Sequence, residues 1–341
     1  MESWDEALKR LAAGLLAGAL LYIPTTAGAA GAAPWRAAHL PAEAAYVAPR
    51  TAGGQPSLEG VWASNALLLL ESTARTPQLI VPEPEAKALA SAAAASQADG
   101  LDRALDPEAP AMLRATDGFP LVRGVRHTRL VIAPADGKVP YTPQARREAL
   151  GLGKPSSYDN PEDRPPAERC LVGLGAPPLT TLNYANRLQI LQTRDHVVLH
   201  VEYGDDVRII PFSETHGPPF KSQLGDSIAR WDGDTLVIET VGLSDTNRRR
   251  LFPTLIVPGD STVIERLTRV SKTELVYQFT VIEPKTFTAP WLAEFSWFQT
   301  TQPMFEHACH EGNYALPNIL AGARQEEAAK AAASRAARAG S

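Results

Sequence analysis

Cysteine is almost missing from this sequence: Cys170 and Cys309 are the only two in 341 residues, and neither belongs to a C-x-x-C pair. That excludes a cysteine-built zinc module. There is also no H-E-x-x-H, no cupin-like H-x-H with a following glutamate, no G-x-S-x-G elbow, no P-loop and no dinucleotide glycine fingerprint. Metal, serine-hydrolase, nucleotide and nicotinamide chemistries are therefore set aside, and no cofactor is expected. Clustered positive charge is lacking too. The formal net charge is −5 and the basic residues are dispersed, so nucleic acid is not a partner. No apolar run reaches the roughly 20 residues a membrane span needs, and Leu11 to Ile23 comes nearest.

What is present begins with an export pattern. Lys9 and Arg10 precede that apolar run, and Ala27-Gly28-Ala29 offers a small-residue cleavage site, so residues 1–29 read as a signal peptide. The acidic Glu2, Asp5 and Glu6 leave an uncleaved amphipathic helix as the alternative. The mature protein is expected to be periplasmic or secreted, with no stable membrane span after cleavage. Residues 30–57 are Ala- and Pro-rich without apolar periodicity and read as a linker. One β-rich domain is expected over residues 58–320. Residues 321–341, with Glu326 and Lys330 one helical turn apart, read as a charged helical tail.

Within the domain, prolines suited to a first helical turn open helices at Pro84–Ala104 and Pro143–Leu152. Arg129–Ala133 reads as a short strand. From Leu188 onward the apolar period becomes two, with hairpins Asp195–Tyr203/Val207–Phe212, Ser227–Trp231/Thr235–Val241 and Thr262–Val270/Glu274–Ile282, then a long aromatic strand over Thr286–Thr300. Asp232-Gly233 is a strong turn signal. Sequential antiparallel strands without crossover helices predict a mainly β fold, a meander closed into a barrel or strongly curved sheet with a few peripheral helices. A β-sandwich is the alternative. On the aromatic strand Trp291, Ala293, Phe295 and Trp297 share one face, which suits a core or the wall of a cavity.

Gly60 and Trp62 form a G-x-W that is similar to the opening strand of lipocalin-like barrels. More broadly, residues 58–324 resemble a family of exported bacterial β-rich proteins of uncharacterised function. The resemblance rests on the G-V-W start at Gly60–Trp62, Asn183-Tyr184 with Gln189–Thr193, Trp231–Leu236, and the C-H-E-G-N-Y ending at Cys309–Tyr314. It implies export and a β-rich fold, and it implies no activity.

Two clusters carry candidate chemistry. His196, Val198, His200 and Glu202 share one face of a strand, with Arg208 placed across the turn from Glu202. That face is either a solvated exterior with a cross-strand ion pair or the ligand-binding wall of a cavity. The second cluster depends on Cys170 pairing with Cys309 in an oxidising compartment; the alternative is one reactive and one buried thiol. The bridge would bring His307, His310 and Glu311 near Glu168, Asn183, Tyr184 and Arg187. His310 is then the expected proton-transfer group and Glu311 its partner, with Asn183, Tyr184 and Arg187 binding the substrate. His310 is expected to be at least partly buried and hydrogen-bonded to a carboxylate or tyrosine. The functional expectation is cofactor-free lyase, hydratase or isomerase chemistry on a small apolar or cyclic molecule. The alternative is a non-catalytic small-ligand-binding or envelope interaction protein.

Overall fold

Alternation of apolar and polar residues decides this architecture, because each strand hides one face and wets the other. A computed structural model describes residues 46–66, 68–101, 118–150, 158–164, 168–182, 185–248 and 255–339. The expected signal peptide and residues 30–45 of the linker lie outside them. The chain runs through β1 (Gly60–Ala63), β2 (Ile80–Val81), α1 (Glu83–Leu101), β3 (Leu121–Val122), β4 (Val125–His127), β5 (Val131–Ala133) and α2 (Pro143–Ala149). The second half is a meander of β6 (Arg187–Gln192), β7 (His196–Val201), β8 (Asp206–Pro211), β9 (Asp226–Asp232), β10 (Thr235–Val241), β11 (Thr262–Arg269), β12 (Glu274–Ile282) and β13 (Trp291–Gln299). Helix α3 (Ala315–Ala339) follows and starts before the residue at which composition places the tail. No helix among the described residues is long and apolar enough to cross a membrane.

Nine strands form one antiparallel sheet in the order β8-β7-β6-β1-β13-β12-β11-β10-β9, and β5 adds to the free stretch of β13. The sheet curls until its two ends meet, so the fold is a nearly closed barrel and not a sandwich. Strand number dictates how it closes. Antiparallel pairing alternates direction, so around an odd ring one neighbouring pair has to run parallel. That pair is β8 and β9, and the backbone pairing at their junction is a parallel bridge between Phe212, just past β8, and Ala229. Residues 213–225 carry the chain back from the end of β8 to the start of β9, the crossover that a parallel pair requires.

Inward-facing residues fill the barrel. Trp62, Tyr277, Phe279, Trp291, Phe295 and Trp297 are all fully buried, and the rings contact one another tilted or edge-on, as between Tyr277 and Phe295 at 5.3 Å. The aromatic face of β13 is therefore core. Its expected strand over Thr286–Thr300 starts late, because Thr286 and Phe287 donate backbone N–H groups to Glu283 O and form a turn. The other face of β12 and β13 is covered by the small sheet β2-β4-β3, with Leu292, Glu294 and Ser296 all buried beneath it. Helix α1 buries Ala86 and Ala90 against Val81 and Phe119. Helix α2 begins after Thr142, whose hydroxyl accepts from Ala145 N, and buries Ala145 and Ala149.

The end of the barrel where β8 begins is closed by residues 172–181, almost all of them buried. Gly173 N and Gly175 N both donate to Asp206 Oδ2 at 2.8 Å, and Leu179 N donates to the Tyr277 hydroxyl at 2.7 Å. A side chain at Gly173 would meet Tyr203 O at 1.9 Å, so only glycine lets these backbones approach. Residues 46–57, which composition assigns to a linker, lie against the opposite end. There Gln192 donates to Pro56 O, Arg269 donates to Ser57 O, and Arg50 pairs with Asp234 at 2.8 Å.

Candidate functional site

The hairpin β7–β8 sets the geometry of everything around it. Gly204 and Asp205 both adopt positive φ, +90° and +55°, and they let Glu202–Asp205 turn tightly enough for Val201 to pair with Asp206. Leu199, not Glu202, then lies opposite Arg208. The expected Glu202–Arg208 ion pair is therefore not formed. Against the expected register the slip is odd, and an odd slip sends a side chain to the other face of the sheet. Arg208 points into the barrel with 4% exposure, while its apolar neighbours Val207 and Ile209 face solvent.

Inside the barrel Arg208 spans the seam. Its guanidinium donates to Glu265 at 2.6 and 3.2 Å, to Ser227 Oγ at 3.0 Å and to Thr240 Oγ1 at 3.1 Å. These partners stand on β11, β9 and β10, so one side chain from β8 links four strands across the gap where ladder bonds are few. Tyr277 donates to Glu265 Oε1 at 2.7 Å, and burial beside that carboxylate pushes the phenol well above its usual range.

Glu202 takes a different partner. It is 2% exposed beyond the end of β7, and Arg187 Nη1 donates to both of its oxygens at 3.0 Å. Phe305 N donates to Glu202 Oε1 at 2.9 Å, and the Phe305 ring stacks 5.7 Å from the Arg187 guanidinium. His200 stays on the outer face and contacts Asp205 at 2.9 Å. The outward face of β7 is thus the solvated exterior, and the cavity-wall reading fails for His200.

Cys170 and Cys309 are bonded, with Cα atoms 5.7 Å apart. Such bonds persist in oxidising compartments. Both cysteines border a surface concavity of about 210 Å³ lined by Tyr203, Asp205, Glu306, His307, His310 and Glu311 among others. Within this lining the Tyr203 and His307 rings lie 4.4 Å apart. Asn313 ties the walls together by donating to Glu168 O at 2.9 Å and approaching Cys170 Sγ at 3.3 Å. His310 and Glu311 do line one space, but His310 is exposed where partial burial was expected, and among the described residues no carboxylate or tyrosine hydrogen-bonds to it. The reason is local: residues 309–312 form a turn in which His310, Glu311 and Gly312 are all exposed. Arg187 faces the Phe305 ring and is not among the lining residues. Asn183 and Tyr184 lie outside the described residues.

A second polar cluster went unread in the sequence because its members come from separate elements. Beneath the β3–β4 turn, His127 is fully buried with its Nδ1 at 3.7 Å from Glu294 Oε1, and neither ring nitrogen has a hydrogen-bond partner. Desolvation, helped by the charges of Arg123 and Arg129, pushes His127 down to about 4, so the ring is neutral and the approach is no ion pair. Burial pushes Glu294 up, although Gln278 donates to it at 2.8 Å. A histidine depressed in the folded state binds its proton more readily when unfolded. Stability from His127 is therefore present above about pH 6.5 and lost between there and pH 4, by about 3 kcal/mol. Glu294, being raised, works the other way on acidification. Comparing denaturant unfolding of the wild type and His127→Asn at pH 7 and pH 4.5 isolates the histidine. The wild type should lose clearly more stability than the variant, and parallel losses would mean that the ring is not buried neutral.

Fold and site together define a disulfide-locked nine-stranded barrel with a filled interior and an acidic, histidine-bearing concavity at one end. Compared with family models, with curated proteins and with solved structures, the chain finds no match in any of the three.

Proposed function

We propose that this is an exported, non-catalytic binding protein that holds a small organic cation in the concavity beside the disulfide, in an oxidising compartment such as the periplasm. The single observation behind this reading is the lining: Asp205, Glu306 and Glu311 contribute carboxylates beside Tyr203, and no lysine or arginine stands among the described lining residues. Carboxylates around an aromatic face attract an ammonium or guanidinium group. The barrel interior is filled by its own aromatic residues.

The second reading is acid/base catalysis by His310 with Glu311, of the lyase or isomerase type. It is favoured by their presence in one concavity with His307. Their exposure ranks it second, because catalytic groups gain from a water-poor setting.

Titration calorimetry of the purified protein with a small diamine such as putrescine tests the first reading. Binding should weaken at least tenfold in Glu306→Gln/Glu311→Gln and should fall with added salt. Salt-independent binding, or none, defeats the carrier reading. Conversion of a bound amine that stops in His310→Gln would move the assignment to catalysis.

A further inference from the structure

The strap between β13 and α3, residues 300–314, lies on the barrel in the manner of a bound peptide. Beyond Thr300, whose N–H donates to Val61 O, it belongs to no described strand or helix, and its side chains are largely exposed, Phe305 at 63% and Tyr314 at 75%. Yet three contacts at its centre are specific. Phe305 N donates to the buried Glu202 carboxylate at 2.9 Å, the Phe305 ring stacks 5.7 Å from the Arg187 guanidinium, and two residues on the His307 ring covers Tyr203 at 4.4 Å. The barrel supplies the receiving groups from one rigid place, the start of β6 and the β7–β8 turn. Glu202 and Arg187 are already fixed to each other at 3.0 Å, so they need no rearrangement to accept a chain.

Among the described residues few other contacts keep the strap in place. Thr300 N donates to Val61 O, Asn313 reaches Glu168 O, Arg324 on α3 reaches Tyr158 O and Asp159 O, and the covalent tie is Cys309 to Cys170, both of which border the open concavity. A backbone N–H on a buried carboxylate, with one ring on a guanidinium and a second ring on a phenol, is an arrangement that any peptide with two rings spaced two residues apart can reproduce. We propose that the Arg187–Glu202–Tyr203 surface is a docking site for such an aromatic-x-aromatic peptide segment, occupied in cis by Phe305–His307 and kept so by the disulfide. This goes beyond the small-cation reading and does not require it, since Glu306 and Glu311 take no part.

Opening the site needs a dithiol reductant. One of its thiolates attacks a cysteine sulfur, the Cys170–Cys309 bond breaks, and the second thiol resolves the mixed disulfide. The protein is left with two thiols and the reductant becomes a disulfide. The strap then competes only as a tethered ligand, at an effective concentration in the millimolar range.

The test uses the full chain and a dye-labelled synthetic peptide of residues 301–308, read by fluorescence anisotropy. The oxidised wild type should not bind it. Cys170→Ser/Cys309→Ser should bind it, and adding Phe305→Ala/His307→Ala in cis should tighten that binding at least tenfold, because the competitor is weakened while the receiving groups are untouched. A purely structural strap predicts no such gain. If the cysteine variant does not fold, the wild type reduced with dithiothreitol serves instead, with amide exchange at Phe305 reporting release. Unchanged affinity after the cis replacements overturns the proposal. So does equal binding to the oxidised protein, or equal binding of a peptide with both rings replaced by alanine.

Discussion

Arg208→Met should lower the unfolding free energy by about 3 to 5 kcal/mol, the cost of leaving a buried charge without its partner. In a domain this size that is a fall in Tm on the order of 10 °C. Arg208 and Glu265 are 4% and 0% exposed, and Tyr277, Ser227 and Thr240 orient toward the same pair. Methionine keeps the length of the arginine stem but strands the Glu265 carboxylate inside the barrel. Arg208→Met/Glu265→Met should recover most of the loss, since replacing both members of a buried pair by apolar groups is often close to neutral. Denaturant unfolding of the wild type, both single variants and the double variant measures the coupling. A loss below 1 kcal/mol for Arg208→Met would mean that water reaches the seam and that the pair is not the strap between β8 and β11.

Removing the disulfide should cost about 4 kcal/mol. Its cysteines are 139 residues apart in sequence, a loop long enough for the chain-entropy account to give about 4 to 5 kcal/mol. Cys170→Ser/Cys309→Ser, compared with the oxidised wild type by thermal and denaturant unfolding, checks this. The size of the loss also reports how tightly the strap is coupled to the barrel. The bond restrains the unfolded chain in either case, but it supports the native barrel only while the strap stays docked. A loss under 1 kcal/mol would show that the strap detaches without taking the barrel with it.

The meander was legible in the sequence wherever local chemistry fixes register. Asp232-Gly233 places Thr235 opposite Asp232, and the pairs of β11 with β12 follow from alternation that both strands share. The disulfide was legible because only two cysteines exist. Register failed at β7–β8 for a reason that no local window contains. Asp206 is held at the first position of β8 by Gly173 and Gly175, more than 30 residues earlier. The sequence Val207-Arg208-Ile209-Ile210 reads as apolar inward with arginine outward, and β8 is inverted. Arg208 is inside because Glu265 awaits it on β11, and Val207 and Ile209 are left outside at 45% and 68% exposure.

The candidate site was legible in part for the same physical reason. The cysteine bond brought His310 and Glu311 to one concavity, as their sequence neighbours imply. It did not bring Arg187 there: Arg187 pairs with Glu202 and faces the Phe305 ring. Glu202 was singled out beside Arg208, yet its partner is Arg187, across the β6–β7 ladder. His127 and Glu294 gave no signal at all. Each looks like an ordinary polar residue in a strand, and only the covering of β13 by the small sheet buries them.

The position of β1 imposes an order in time. It is the first strand of the barrel to be synthesised, yet its two neighbours are β6, from mid-chain, and β13, the last strand. Until β13 emerges, β6–β8 and β9–β12 are two separate ribbons joined by one crossover, and Trp62 has no wall to pack against on its far side. A chain delivered amino end first would hold this apolar strand unpaired until β6 arrives and half-paired from then until β13 does, and a single late event then zips β1 to β13 and turns two ribbons into a ring.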